Sequence, residues 1–372
     1  MRIYLDNAST TPMDTRVFEH IKPMMLDTYG NPSSIHYHGR QTKSMIEEAR
    51  KIVANGIKAS ISEIFFTSSA TEANNMVLMS AVRDHNVERI ISSPTEHHCV
   101  LHTIDYLKEH HSVECVMLSV DQQGIIDYDQ LRSVLRDSTK KTIVSLMHAN
   151  NEIGSLSDPA LISDICSEYG ALYHCDAVQT LAKYPLDVDQ VKFSFMSGSA
   201  HKFYGPKGVG FIYINGNNKI KPLIYGGAQE RNMRAGTENT YGIAGLGKAF
   251  ELGLSEMEER ARVTGALRNY LINGVCGLNS KIKLNGLQDG HYCIANISFP
   301  KNSKTDLIMF NLDIAGISAS AGSACSSGIE SRSHVLDAIS LPSDEIAVRF
   351  SLSHHNTTEE IDFLIEKLKD MF

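Results

Sequence analysis

The sequence predicts an α/β fold built on a largely parallel sheet, followed by a smaller α+β unit. Three observations predict it. In the first two thirds of the chain, short β-rich runs each end in a polar cluster and feed a helix-like stretch, the alternation that builds parallel sheets. From about Gly245 the texture changes to a long amphipathic pattern and then closely spaced short strands. The 372 residues, 42% hydrophobic and 21% charged, have an ordinary globular balance, with room for one large and one smaller domain at about 100–200 residues each. The expected division is a large domain over 14–250 and a small one formed by 1–13 with 251–372.

The elements follow in order. Ile64-Phe65-Phe66-Thr67 runs into Ser68-Ser69-Ala70-Thr71-Glu72, and Arg89-Ile90-Ile91-Ser92 runs towards Thr95-Glu96-His97-His98. Thr142 to Met147 leads to His148-Ala149-Asn150-Asn151-Glu152, Ala171 to Cys175 to Asp176-Ala177-Val178-Gln179, and Phe193 to Ser197 to Ser199-Ala200-His201-Lys202. Gly245 to Asn273 is predicted as one long helix. Strands over Cys293–Phe299 and Ile346–Ser351 follow, then a closing helix near Thr358 capped by Thr357 or Thr358. In parallel sheets ligands sit beyond the carboxyl ends of the strands, so five polar clusters at five strand ends predict one shared site.

The bulk numbers exclude several classes. A net charge of −8 gives no basic footprint for nucleic acid or anionic membrane. No apolar run is long enough to span a bilayer, and Met1-Arg2-Ile3-Tyr4-Leu5-Asp6-Asn7 meets an acid before any signal-peptide-like stretch; a cytoplasmic protein is expected. Seven cysteines without a small-domain spacing predict free thiols.

Lys202 is the most informative residue. An amine closing Ser199-Ala200-His201-Lys202, ahead of Gly205-Pro206-Lys207-Gly208, can condense with an aldehyde as a Schiff base, and the neighbouring serine, histidine and glycine-rich turn can hold a phosphate. Together they suggest pyridoxal 5′-phosphate (PLP); a solvated surface lysine is the bland alternative. The helix start at Ala70-Thr71 suits an anion, or is plain capping. Asp176 can hold a pyridine nitrogen protonated, with Gln179 or Asn151 reaching a ring oxygen; alternatives are a helix cap, or a metal site with His174 and Cys175. His97 can stack on a flat ring and move protons, though most of the 16 histidines must be surface or core residues. Arg349 suits an amino-acid carboxylate, or pairs with a surface acid. Cys325, in the small-residue run from Ile317 to Gly328, is an accessible thiol on a mobile loop and a candidate nucleophile, or an idle thiol in a tight turn.

With these segments stand Tyr4-Leu5-Asp6-Asn7-Ala8, Gly30-Asn31-Pro32-Ser33-Ser34, Ala70-Thr71-Glu72-Ala73-Asn74-Asn75, Asn150-Asn151-Glu152-Ile153-Gly154, Arg234-Ala235-Gly236-Thr237-Glu238-Asn239 and Gly322-Ser323-Ala324-Cys325. Over nearly its whole length the chain resembles the cysteine desulfurases of the NifS/IscS family. The resemblance implies PLP-dependent transferase fold type I, with a mostly parallel seven-stranded sheet in the large domain and a small domain carrying the Cys325 loop. It implies Lys202 as the cofactor's covalent anchor; Ala70, Thr71, Ser199 and His201 at its phosphate; Thr237 at the phosphate of a second subunit, hence a homodimer; Asp176 at the ring nitrogen; Gln179 and Asn151 at the ring oxygen; and His97 over the ring. Arg349, with Asn31, would hold the carboxylate of L-cysteine. Cys325 would take the sulfur as a persulfide, releasing L-alanine, for a sulfur-acceptor protein of iron–sulfur cluster assembly or another thiolation route. No resident metal is implied; Cys325 is at most a transient iron–sulfur ligand. The chain departs from the family in Ser353-His354, where Gly-Arg is usual, and ends at Phe372, where some relatives carry a tail that contacts the scaffold. The rival readings are a selenocysteine lyase on the same fold, an ordinary aminotransferase, and a non-catalytic scaffold or redox-sensing relative.

Overall fold

The computed structural model describes residues 2–137, 139–321 and 333–371; Cys325 and its immediate neighbours lie outside them. Strand β1 (Ile3–Tyr4) leads to helices α1 (Thr15–Asp27) and α2 (Tyr37–Gly56). The alternating region is β2 (Ile64–Thr67), α3 (Ala70–His85), β3 (Arg89–Ser92), α4 (His98–His111), β4 (Glu114–Met117), α5 (Tyr128–Arg136), β5 (Thr142–Met147), α6 (Pro159–Glu168), β6 (Leu172–Asp176), β7 (Phe195–Ser199) and β8 (Gly210–Ile214). A single turn, α7 (Gln229–Asn232), precedes α8 (Thr240–Ser255) and α9 (Met257–Cys276). The remainder is β9 (Lys283–Asn285), β10 (Ile294–Pro300), α10 (Ile308–Ile314), β11 (Ile317–Ser318), α11 (His334–Ala338), β12 (Glu345–Ser351) and α12 (Thr358–Lys369).

Local chemistry sets these boundaries. Ser69 caps α3 by accepting the Glu72 N–H, Asp158 caps α6 with Pro159 in its first turn, and Thr357 with Glu360 forms a reciprocal capping box on α12. Every residue of β5 is buried, as expected of a strand covered on both faces, whose sequence need not alternate.

The central sheet has seven strands in the order β2-β8-β7-β6-β5-β3-β4. Only β8 runs antiparallel to its neighbours, β2 and β7; the pairs β7–β6, β6–β5, β5–β3 and β3–β4 are parallel. The register places Asp176 opposite both Met147 and Ser197, so the ends of β5, β6 and β7 open on one crevice. A second, antiparallel sheet has the order β12-β10-β9, and β1 pairs with β11. Apolar cores form around both sheets. Phe203, Leu246 and Phe250 join Phe211 of β8 in one core of the large sheet, and Val77, Ile104 and Phe195 belong to another. Ile3 and Leu5 from the N-terminal segment pack with Leu271, Phe299, Phe350 and Leu364 around the small one.

The single helix expected over Gly245–Asn273 is two. Glu256 leaves helical geometry at φ −111°, ψ 10°, and its carboxylate binds Arg16 and Arg260. Apolar spacing continues across the joint, so the pattern hides a break held by one tertiary ion pair, to Arg16, and one local pair, to Arg260. We propose Glu256 as the point where the chain passes from the large unit to the small one. Elsewhere, the buried Arg50 donates to both carboxylate oxygens of Glu230 at 2.7 and 2.8 Å and to the Ile64 carbonyl. Glu230 also accepts the Phe66 N–H. This pair holds α7, where Glu230, Arg231 and Asn232 have φ of 43°, 57° and 66°, a left-handed run that costs about 1–2 kcal/mol per residue.

Candidate active site

A cavity of about 360 Å³ opens where the carboxyl ends of the strands meet the N-terminal turns of α3 and α4. Asp176, the last residue of β6, is at its floor: Oδ1 accepts the Val178 N–H at 3.1 Å and Oδ2 the Asn74 amide at 2.7 Å. The helix-cap alternative for Asp176 is not realised, because a turn and not a helix follows β6. Nor is the metal alternative, because Ser145 Oγ at 2.8 Å and Ser197 Oγ at 3.1 Å occupy the two ring nitrogens of His174. Among the described residues no three His, Cys, Asp or Glu side chains are grouped to hold a metal ion.

Lys202 ends the turn after β7 and points into the cavity, its Nζ donating to the Ala8 and Ser9 carbonyls at 2.6 and 2.8 Å. The surface-lysine alternative is therefore set aside. Gln179 donates Nε2 to Ala8 O at 3.0 Å, while its buried Oε1 has no partner among the described residues. On the other wall are Ala70 and Thr71, opening α3; free amides at a helix start favour an anion. Ser199 and His201 also line the cavity. Burial, then the nearby Lys202, Lys207 and Lys183, push the His201 imidazole down to about 4, so near neutral pH it is an uncharged hydrogen-bonding group. His97, the N-cap of α4, also lines the cavity, and burial lowers its proton affinity.

Arg349 stands on β12 and is 1% exposed. One terminal nitrogen donates to the Asn151 carbonyl at 2.9 Å, the other to Asp6 Oδ1 at 2.8 Å and Ser9 Oγ at 2.5 Å. Its partner acid is thus in the N-terminal segment, not on the surface. Its Nε–H is buried without a partner among the described residues. Such a donor costs about 1–3 kcal/mol unless something accepts from it, and the guanidinium lines the cavity.

Two expected residues lie elsewhere. Thr237 is exposed and lines a separate hollow with Ser68, Gly208 and Arg234. Asn31 is exposed on the loop before α2, where its Oδ1 accepts the Ser33 N–H, and it does not line the cavity. Asp6, Ser9, Asn74 and Cys99 were not anticipated. Asp6 had no local signal, being 343 residues from the arginine it binds. Asn74 and Cys99 lie in apolar helical stretches, where they read as core.

Residues 3–364 match the family Aminotransferase class-V. The chain belongs to that family. It is 43% identical to a protein of Dictyoglomus turgidum named cysteine desulfurase IscS, over 99% of this chain and 93% of the relative. A solved NifS-like protein superposes with a TM-score of 0.92 at 35% identity, covering 100% of this chain and 99% of the other. A structure described as SspA in complex with cysteine gives a TM-score of 0.81 at 30% identity, covering 96% of this chain and 100% of the other. The seven-stranded, mostly parallel sheet is thus that of PLP fold type I.

Members of this family use pyridoxal 5′-phosphate, and the donor set fits it. A lysine amine, a buried carboxylate, the N-terminal turn of α3 with its hydroxyl, and a neutral histidine all line this one cavity. The unpartnered Gln179 Oε1 adds a buried polar atom on the same cavity.

Proposed function

We propose that this chain is a PLP-dependent cysteine desulfurase, taking sulfur from L-cysteine onto Cys325 and releasing L-alanine. The observation that carries the reading is the meeting, on one cavity, of Lys202, Asp176 and His97 with a buried arginine whose Nε–H awaits an acceptor. The relatives' names supply the reaction class. When bound, the cofactor supplies a protonated ring that takes up the electron pair left as a proton leaves the substrate Cα.

The chain's residues supply the rest. Lys202 would be the covalent anchor of the group and, with its amine free, the base at the substrate Cα. The Asp176 carboxylate keeps the ring nitrogen protonated, and Asn74 and the Val178 N–H fix its orientation. Thr71, Ser199, His201 and the first turn of α3 would hold the phosphate, and Gln179 and Asn151 would serve the ring oxygen. Arg349 takes the substrate carboxylate through Nε–H. His97, which lines the same cavity, would face the bound ring and pass a proton as the substrate Cβ–S bond breaks. The Cys325 thiolate attacks the substrate sulfur, so an S–S bond forms and the electron pair of the broken bond returns to carbon, which gains protons and leaves as alanine.

Thr237 serves the second subunit's phosphate in this reading. Its exposure outside its own cavity and the bare side chains of Leu26 (74%), Tyr29 (69%) and Ile35 (90%) support a homodimer. A sulfur-acceptor protein, such as an iron–sulfur scaffold, then takes the persulfide. Cys99, Cys115, Cys166, Cys175, Cys276 and Cys293 are all free thiols, which supports a reducing, cytoplasmic setting; no helix among the described residues is long and apolar enough to cross a membrane. The test is mass spectrometry of the PLP-loaded chain after L-cysteine. One added sulfur atom on the Cys325 peptide is expected, and its absence alongside normal alanine release would refute the assignment.

A further inference from the structure

His97 is not free to choose its tautomer. As N-cap of α4 it folds its ring back so that Nδ1 accepts the Cys99 backbone N–H at 3.1 Å. The Cys99 thiol lies 3.0 Å from the same nitrogen. A nitrogen already accepting from an N–H has its lone pair outward, so the thiol must donate its hydrogen rather than receive one. The sulfur in turn accepts from Asn74 Nδ2 at 3.2 Å, and the same amide nitrogen donates to Asp176 Oδ2 at 2.7 Å. Asn74 is fully buried, and flipping its amide would press an oxygen against the carboxylate. Burial pushes the Cys99 thiol up to about 12, so near neutral pH it keeps the hydrogen it donates.

We propose that Cys99 and Asn74 are positioning residues which hold His97 in the neutral tautomer protonated on Nε2, and which tie that tautomer to the Asp176 carboxylate. The inference rests on the reading above, in which His97 works over the ring. A second proton on Nδ1 would have to displace two donors aimed at it, so the pair resists formation of the imidazolium. The groups facing the ring divide in sign. Asp176, at the end of β6, favours a proton on it; Lys202 after β7, His334 on α11 and His102 on α4 oppose one. His98 stands edge-on at 6.3 Å between ring centroids. The neighbouring Glu96 carboxyl is itself held up by burial.

The test uses the full-length, PLP-loaded chain labelled with ¹⁵N-histidine, the His97 signals being those missing in His97→Gln. In the parent chain Nδ1 should show the shift of an unprotonated acceptor between about pH 6 and 8. Cys99→Ala keeps the backbone donor and loses the S–H. The His97 proton affinity should then rise about three- to tenfold, half to one pH unit, and the acid limb of kcat/KM for L-cysteine should move up equally. Cys99→Ser, which restores a donor, should return both towards the parent. Unmoved nitrogen signals and acid limb in Cys99→Ala, or a Cys99→Ser that behaves like Cys99→Ala, overturns the proposal. The nitrogen signals are read without turnover, so they decide this point even if the chain fails to desulfurate cysteine.

Discussion

Arg349→Lys separates recognition of the substrate carboxylate from everything else the site does. The guanidinium spends one terminal nitrogen on Asn151 O and the other on Asp6 and Ser9, leaving the buried Nε–H for an incoming anion. Lysine keeps the charge but offers a single ammonium, which cannot serve Asp6 and also present the lost Nε–H. One charge-assisted hydrogen bond is worth about 1.5–3 kcal/mol. The expected loss is therefore about 10- to 150-fold in kcat/KM for L-cysteine, mostly in KM, because the carboxylate does not react. Asp6 keeps the Ser9 and Ser320 hydroxyls at 2.8 Å, so the local fold should survive. The assay is steady-state alanine release from L-cysteine beside turnover of L-cysteinamide, which lacks the carboxylate. Arg349→Lys should change the amide less than about threefold. An equal loss on both substrates would mean that Arg349 acts on something other than the carboxylate.

Three other expectations follow. Asp176→Asn should slow exchange of the Cα proton of L-alanine with solvent deuterium on the order of a hundredfold or more, because the carboxylate charge opposing the ring nitrogen is lost; exchange at parental rate would remove Asp176 from its role. Glu230→Ala leaves Arg50 buried and unpaired and should cost about 3–5 kcal/mol, while Arg50→Met/Glu230→Leu should recover most of it, as read from urea midpoints at fixed PLP concentration. The third concerns pH: burial holds His148 and His174 down to about 4 in the fold, against about 6.5 for a free imidazole. The unfolded chain therefore binds protons that the folded one refuses, so this stability is full above about pH 6.5 and drains as the pH falls towards 4, by about 2 kcal/mol for each histidine at about pH 5. Asp14 and Glu256, held at about 2 by their arginines, stay charged throughout that window. His148→Asn should flatten the pH dependence of the urea midpoint; an unaltered slope would show that His148 is not one of the groups responsible.

Much of this site is legible in the sequence because a parallel sheet gathers its strand ends. Lys202, Asp176 and His97 each follow a β-rich run, so topology alone brings them together. The cap at Thr357 was legible because capping is local. What escaped notice depends on distance or context. Asp6 meets Arg349 only after the N-terminal segment crosses to β12. Asn74 and Cys99 matter for the atoms they face, not for their place in a pattern. The strands β4 and β8 went unread, the first because it is a partly exposed edge, the second because it begins at a glycine-rich turn. The helix break at Glu256 is braced by Arg260, one turn on, and by Arg16, 240 residues away, which no local pattern announces.

The arginine on β12 also fastens the molecule. It clasps the loop after β5, belonging to the large sheet, and the N-terminal strap, which packs into the small core. An anion arriving at its last nitrogen would join that same knot. Occupancy would thus be felt both in the N-terminal strap and in the loop after β5, and a ligand that merely fits the cleft without gripping the fork would leave that knot untouched.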